Sequence, residues 1–513
     1  MSCIKRGTAA GAALLMACAG SAIAQMATAV FTKHPLHPTS IVPGARNLAG
    51  QLVATRFKSI DTLTLSPDGT TWVTGGLTQQ GPDEESVLVL GPNPAPNVLA
   101  QEGQPFPQGG ISETYDLIGR GNFNRRNRYA FTTTSRIGFN NGRYAVIYWD
   151  GFGFTMTHGE GDALFNFVDI PADDAGDEVI GTFMDSAHPL DDDAVGVHLE
   201  SIVNIDPTLE SALIYDHNAF RQGGVSPVVS LDGLSNPTWD KWTERGFFTT
   251  ADGAHWLANG KIIEDKNFDE VLAIDSRVVI QQGFAMPGTG EVPDGITHAA
   301  MNQGGDWIAH GLLTDGVSHY ANFNGVVVAR SGSAIIPSGG TWSAPFYAIA
   351  VSGLGEWLVA GRTAGAPASD DVIVHSELGV VMREGDPVDL DGNGLADDDA
   401  FIGRGNPALP AFALDELEIS NGRVLYVIAN LRNGAGQDIN SIPAFGEPHA
   451  LVKLELPPRC AGDFNRDGFV NGDDYDAFAS VFDAGDSAAD FNHDGFVNGD
   501  DYDAFAERFD LGC

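Results

Sequence analysis

The chain has 513 residues, and 68 Asp and Glu against 28 Lys and Arg give it a formal charge of −40. That balance argues against nucleic acid and anionic membrane surfaces as partners, because both are themselves polyanions. It suits a secreted protein kept soluble in a salty, calcium-containing medium, and the length allows several domains or one large repeat array.

The N-terminus carries Lys5 and Arg6, an apolar stretch from Ala9 to Ala17, and Ala22-Ile23-Ala24. This pattern predicts a secretory signal peptide over residues 1–24, cleaved before Gln25. Leu15-Met16-Ala17-Cys18 can also be read as a lipoprotein box that would anchor the chain at Cys18. The four cysteines are Cys3, Cys18, Cys460 and Cys513, so cleavage leaves Cys460 and Cys513. An oxidising compartment favours a disulfide between them. Closing so long a loop would contribute ~4 kcal/mol on the chain-entropy model. Two free thiols are the alternative. No later stretch is long and apolar enough to span a bilayer. Residues 25–57, with His34-Pro35, His37-Pro38 and Val42-Pro43-Gly44, read as a leader with one strand near its end.

From residue 58 a degenerate repeat begins. A polar turn leads into a strand carrying an aromatic, as in Ser66-Pro-Asp-Gly-Thr-Thr-Trp72, and returns at Trp256, Trp307 and Trp357. A second strand ending in glycine follows each turn, as in Val98-Leu-Ala-Gln-Glu-Gly103 and Val381-Met-Arg-Glu-Gly385. Short alternating runs bounded by Gly, Asn and Asp mark further strands. Units of three or four strands at this period predict a mainly β fold, a seven-bladed β-propeller over residues 58–457. The expected blades lie near 58–106, 115–163, 178–229, 237–288, 295–337, 344–388 and 408–457; six or eight remain open. The four tryptophans are expected to pack between blades. The Ser-Pro-Asp-Gly turn resembles that of TolB- and WD40-like propellers. It departs from the sialidase Asp-box, since Gly69 follows Asp68 directly, and no sialidase catalytic residue is carried over.

Just after the sixth unit, Asp389, Asp391, Asn393, Asp397, Asp398 and Asp399 surround two glycines. Oxygens at loop positions 1, 3, 5 and 9 suit a calcium ion that would rigidify the insertion.

The last stretch repeats itself. Asp467 to Ala479 recurs unchanged as Asp494 to Ala506, at a period of 27 residues. Each copy belongs to a 12-residue loop with oxygen ligands at the positions an EF-hand uses. The first offers Asp463, Asn465, Asp467, the Phe469 carbonyl, Asn471 and Asp474; the second offers Asp490, Asn492, Asp494, the Phe496 carbonyl, Asn498 and Asp501. Position 12 is Asp where Glu is usual. After each loop an apolar face follows at i, i+3, i+4 and i+7: Tyr475, Phe478, Ala479 and Phe482, then Tyr502, Phe505, Ala506 and Phe509.

A tandem loop–helix pair of this form resembles a dockerin, the calcium module that attaches bacterial proteins to cohesin domains. The resemblance covers residues 458–513. It implies a small all-α module, two Ca2+ ions and a cohesin-like scaffold or surface protein as partner. Gly472-Asp473 and Gly499-Asp500 stand where well-known dockerins more often carry Ser or Thr to select the cohesin. Because the copies match so closely, a partner can be bound in two orientations.

No G-x-S-x-G elbow, H-E-x-x-H pair, Walker loop, G-x-G-x-x-G fingerprint or C-x-x-C pair is present. Catalytic residues are therefore unknown from sequence. The acidic runs Asp173-Asp174, Asp191-Asp192-Asp193 and Asp370-Asp371 read as solvated loop acids. The expected protein is a secreted or surface-attached, non-enzymatic binding propeller, with a glycan or protein ligand, carrying a calcium-dependent attachment module. The alternatives are a glycoside hydrolase or lyase of extracellular polysaccharide catabolism, which the dockerin resemblance favours by association, and a component of a surface layer.

Overall fold

The computed structural model describes residues 26–92, 95–110, 112–138, 140–168, 177–337, 340–439, 449–465, 470–486, 489–491 and 496–512. The signal segment 1–24 lies outside them. Six four-stranded sheets, each an antiparallel meander in chain order, occupy 62–101, 113–159, 179–222, 239–281, 293–330 and 342–383. They are blades one to six of a seven-bladed β-propeller, at nearly the places the repeat predicts.

Blade seven corrects the leader assignment. Its strands Phe412–Ile419, Val424–Arg432 and His449–Glu455 are joined by Ala27–Thr32, which runs antiparallel to His449–Glu455 with Ala29 opposite Val452. The leader's strand therefore stands at its start rather than its end, and it supplies the outer strand of the closing blade. Closure removes the open edge that a lone N-terminal strand would leave. The short strand Val388–Asp389 then pairs with it in parallel.

Apolar residues alternate along the strands, so each sheet shows one face to each neighbouring blade. Clusters accordingly draw on two sheets: Val73, Leu88 and Ala100 of blade one pack with Tyr115, Phe131 and Ile147 of blade two. Each such side chain, fully buried, contributes about 1.5–3 kcal/mol. The repeated tryptophans sit at these junctions. Trp72 meets Phe31 of blade seven edge-on at 5.7 Å, and half-buried Trp256 meets Phe220 of blade three at 5.6 Å. The Ser-Pro-Asp-Gly turn is closed by Ser66 Oγ donating to Asp68 Oδ1 at 2.7 Å. Gly69 in it has φ +71°, and a Cβ there would strike Ser420 of blade seven at 2.2 Å.

Two helices follow the propeller, α1 (Gly472–Asp483) and α2 (Gly499–Leu511). Among the described residues no helix is long and apolar enough to cross a membrane. The connection between propeller and helices is pinned: Arg459 donates to Glu377 at 2.7 Å, and Arg423 donates to the Pro457 carbonyl at 3.0 Å.

Candidate functional sites

The C-terminal module is built twice over. Asn471 caps α1 by accepting from Asp473 N at 2.8 Å, and Asn498 caps α2 by accepting from Asp500 N at 2.8 Å. Asp474 and Asp501 close each capping box by accepting from the backbone of the capping asparagine, both at 2.8 Å. Both carboxylates are fully buried, and Asp474 also accepts from Asn465 N at 3.0 Å. These contacts are those of a capping box, which fixes each carboxylate against the loop that precedes its helix. Asp463, Asn465 and Asp490 lie in the preceding loop segments. Asp467, Phe469, Asn492 and Asp494 fall outside the described residues, as does Cys513; Cys460 is disulfide-bonded.

The core of this module repeats contact by contact. Phe478 and Phe505 stack at 4.2 Å. Phe464 lies 5.8 Å from Phe505, and its counterpart Phe491 lies 6.0 Å from Phe478. Tyr475 to Phe509 is 5.5 Å, and Tyr502 to Phe482 is 5.7 Å. The hydroxyls of Tyr475 and Tyr502 hydrogen-bond to each other. Exchanging residues 27 apart maps each of these contacts onto another, so the two loop–helix units are related by a local two-fold.

The 389–399 insertion gathers half of its six candidates. Oxygens of Asp389, Asp391 and Asp398 lie within 4.8 Å of one another. Asp389 also accepts from Gly392 N at 2.6 Å and Gly394 N at 2.8 Å, which winds the loop about it. Asp397 and Asp399 are not part of that cluster: Asp397 accepts from Asn393 Nδ2 at 3.3 Å, and Asp399 accepts from Gly434 N at 2.8 Å.

The acidic runs divide. Asp191 and Asp193 are loop residues paired with Arg125 at 2.6 Å and Arg128 at 2.7 Å. Asp370 and Asp371 overturn the solvated reading: they are 7 % and 0 % exposed, because their strand end is covered by blade seven. Asp173-Asp174 fall outside the described residues.

The first strands of the blades enclose a central cavity of about 470 Å3. Sequence reasoning missed it. Three of these strands carry a non-glycine residue in the left-handed region at a register shift: Ser186 (φ 107°), Arg245 (φ 56°) and Asp415 (φ 58°). Such bulges re-aim side chains, and all three line the cavity. Beside the lining, buried Glu416 pairs with Arg120, with Arg245 at 3.4 Å, and with Leu63 N at 2.8 Å. Burial pushes Glu416 up to about 7 against the pull of both arginines. It pushes Glu418 up to about 8, so that this carboxyl is protonated at neutral pH. Asp415 goes the other way: burial opposes it, but His310 and Arg245 hold it below the usual carboxylate range. His298 and His188 are lowered to about 4 by burial and stay neutral. Ser186 Oγ lies 2.9 Å from His188 Nε2 and accepts from Asn122 Nδ2 at 2.8 Å. The cavity thus offers neutral donors and acceptors, the carboxyl groups of Asp68, Asp415 and Glu418, and the arginines Arg120, Arg125 and Arg245, which suits a polar, hydroxyl-bearing molecule.

No family model matches this chain, and no curated protein does. Among solved structures it is similar to the Dos1 propeller, at 11% identity and TM-score 0.34, over 82% of this chain and 88% of that one. It is also similar to hydrazine synthase of Kuenenia stuttgartiensis, at 9% identity and TM-score 0.33, over 76% and 99%. The polysaccharide lyase Uly1 matches at 10% identity and TM-score 0.33, over 84% and 99%.

Proposed function

We propose that this is a secreted or surface-attached, non-enzymatic binding propeller that holds a polar ligand in its central cavity and is anchored through a dockerin-like module. The observation that carries the reading is the local two-fold that relates Phe464, Tyr475, Phe478 and Phe482 to Phe491, Tyr502, Phe505 and Phe509. Two half-EF-hands packed face to face present the same surface twice, which is what attachment to a cohesin-like partner in either orientation needs. The loops hold one Ca2+ each through Asp463, Asn465, Asp467, the Phe469 carbonyl and Asp474, and through Asp490, Asn492, Asp494, the Phe496 carbonyl and Asp501. Asn471 and Asn498, whose side-chain oxygens cap the helices, reach the ion through water. Calcium supplies the charge that lets these carboxylates converge. The 389–399 insertion takes a third ion on Asp389, Asp391 and Asp398.

The test is retention of a partner by the full chain from its own organism's secreted and surface proteins, in calcium, in chelator, and with Asp463→Ala plus Asp490→Ala. A partner held only in calcium by intact loops is the expected result. Calcium binding by the loops with nothing retained would remove the docking function.

A second reading rests on the cavity. Asp415 and Glu418 are two nearby carboxyl groups on one strand whose environments push them in opposite directions. Such divergence is the mark of an acid and a base or nucleophile, and on this reading the chain cleaves a polysaccharide. Release of soluble product from neutral or acidic polysaccharides, lost in Glu418→Gln, would favour it over simple binding.

A further inference from the structure

Blades one, two and five share a small device at the end of their outer strands that blade six lacks, as do blades three and four, where Gly223 and Gln282 stand at the same position. The residue just after the outer strand, itself followed by a glycine, donates its backbone N–H to a residue of the third strand. This holds for Glu102 to Ser86 (2.9 Å), Glu160 to Tyr144 (2.8 Å), Ser331 to His319 (3.0 Å) and Glu384 to Asp371 (2.8 Å). In blades one, two and five the side chain of that residue accepts the same partner's N–H in return: Glu102 from Ser86 at 3.1 Å, Glu160 from Tyr144 at 3.2 Å, Ser331 from His319 at 2.9 Å. In blade six it does not. Glu384 is 1 % exposed, and neither of its carboxylate oxygens accepts a hydrogen bond from the described residues.

Glu384 turns instead toward two more buried acids. One oxygen each of Asp370, Asp371 and Glu384 lies within 4.8 Å of the others. Asp371 is fixed in place by Tyr347 Oη at 2.7 Å, Arg362 Nε at 3.0 Å and Ala411 N at 2.8 Å. Asp370 Oδ1 accepts no hydrogen bond from the described residues. The nearby cations do not balance the cluster: Arg362 lies 3.5 Å from Asp370, and Arg432 reaches only to 3.9 Å from Glu384. Gly403, at φ +125°, leaves open the space over the Glu384 carboxylate that a Cβ would fill, 2.9 Å from its Oε1. Three buried carboxylates against two arginines leave a surplus negative charge, and a buried charge without a hydrogen-bonded partner is costly.

We propose that Asp370, Asp371 and Glu384 bind a divalent cation at the junction of blades six and seven. An all-oxygen, carboxylate-only donor set selects a hard ion such as Ca2+, Mg2+ or Mn2+ over softer metals. Tyr347 and Arg362 come from blade six, while Ala411 and Arg432 come from blade seven. All three ligands belong to blade six, so the ion offsets the charge that this blade presents to the one that closes the ring.

Two measurements on the full chain test this, with Ca2+, Mg2+ and Mn2+ added singly to metal-stripped protein. By equilibrium dialysis and elemental analysis, Glu384→Gln binds one fewer cation per chain than the wild type with at least one of these metals. The near-isosteric change also reverses an order of stability. In chelator, Glu384→Gln melts at or above the wild type, because it removes a buried charge; with the cation present the wild type melts higher. Equal stoichiometry in all three metals, or Glu384→Gln melting at or above the wild type throughout, would overturn the proposal and leave a proton as the species shared by the carboxylates.

Discussion

In the propeller, apolar side chains meet across every blade junction, and each cluster is fed by two neighbouring sheets. In the C-terminal module, Phe478, Ala489 and Phe505 are the whole of the fully buried apolar core among the described residues. A unit this small rarely stabilises itself by burial and needs a staple or an ion. The contrast teaches where each region keeps its stability: the propeller in closure of a ring, the module, on the proposed reading, in calcium brought to its loops.

Removing calcium gives the largest expected break. Chelation, or Asp463→Ala with Asp490→Ala, abolishes the helical circular dichroism of α1 and α2 while the β signal persists, because metal binding in such a module is folding free energy. A helical signal that survives chelation would place the module's stability in its aromatic stack. Next in size is a matched pair. Phe478→Ala and Phe412→Ala each empty a fully buried site and each cost about 3–5 kcal/mol. The first unfolds the module even in calcium; the second only lowers the propeller's melting temperature, as differential scanning calorimetry would resolve. A smaller effect, about 1 kcal/mol per helix, is expected from Asn471→Ala or Asn498→Ala through loss of the cap. If the loss in calcium is much larger than that, those side chains reach the ion as well as the helix.

A further effect is one of pH. Glu418, at about 8 in the fold against an ordinary 4.5, holds a proton that the unfolded chain has released. Its contribution to stability is complete below about 4.5 and is lost as pH rises through about 8. Glu418→Gln should flatten the decline of the denaturation midpoint between pH 5 and 9. An unchanged slope would show that this carboxyl is ionised in the fold.

What could be read in advance follows the range of the interactions. The two C-terminal helices are legible because their turn signals and apolar faces lie within one 27-residue period. The blades are legible because turn and strand alternate locally, and Trp72, Trp256, Trp307 and Trp357 mark the register. Ala27–Thr32 was not assigned to a blade, since its partner His449–Glu455 is over four hundred residues away and His-Pro punctuation follows it. The cavity was invisible for a related reason. Arg120, Arg245 and Glu416 are ordinary charged residues until the ring brings three blades together. One local clue did exist: Asp415-Glu416-Leu417-Glu418 places acids on both faces of a strand that the repeat pattern expects to be apolar. Asp370-Asp371 misled because adjacent acids in a turn are usually solvated, and only the arrival of blade seven covers them.

The same ring closure sets how the molecule bears mechanical load. A pull applied at the C-terminal module first meets the Arg459–Glu377 and Arg423–Pro457 contacts, then the strand His449–Glu455. That strand is gripped on both sides, by Val424–Arg432 and by Ala27–Thr32. Tension along its axis stresses two ladders in shear, with their hydrogen bonds sharing the force, rather than peeling them open one at a time. The residues that seal the ring thus also make its exit strand a strong point for a tether.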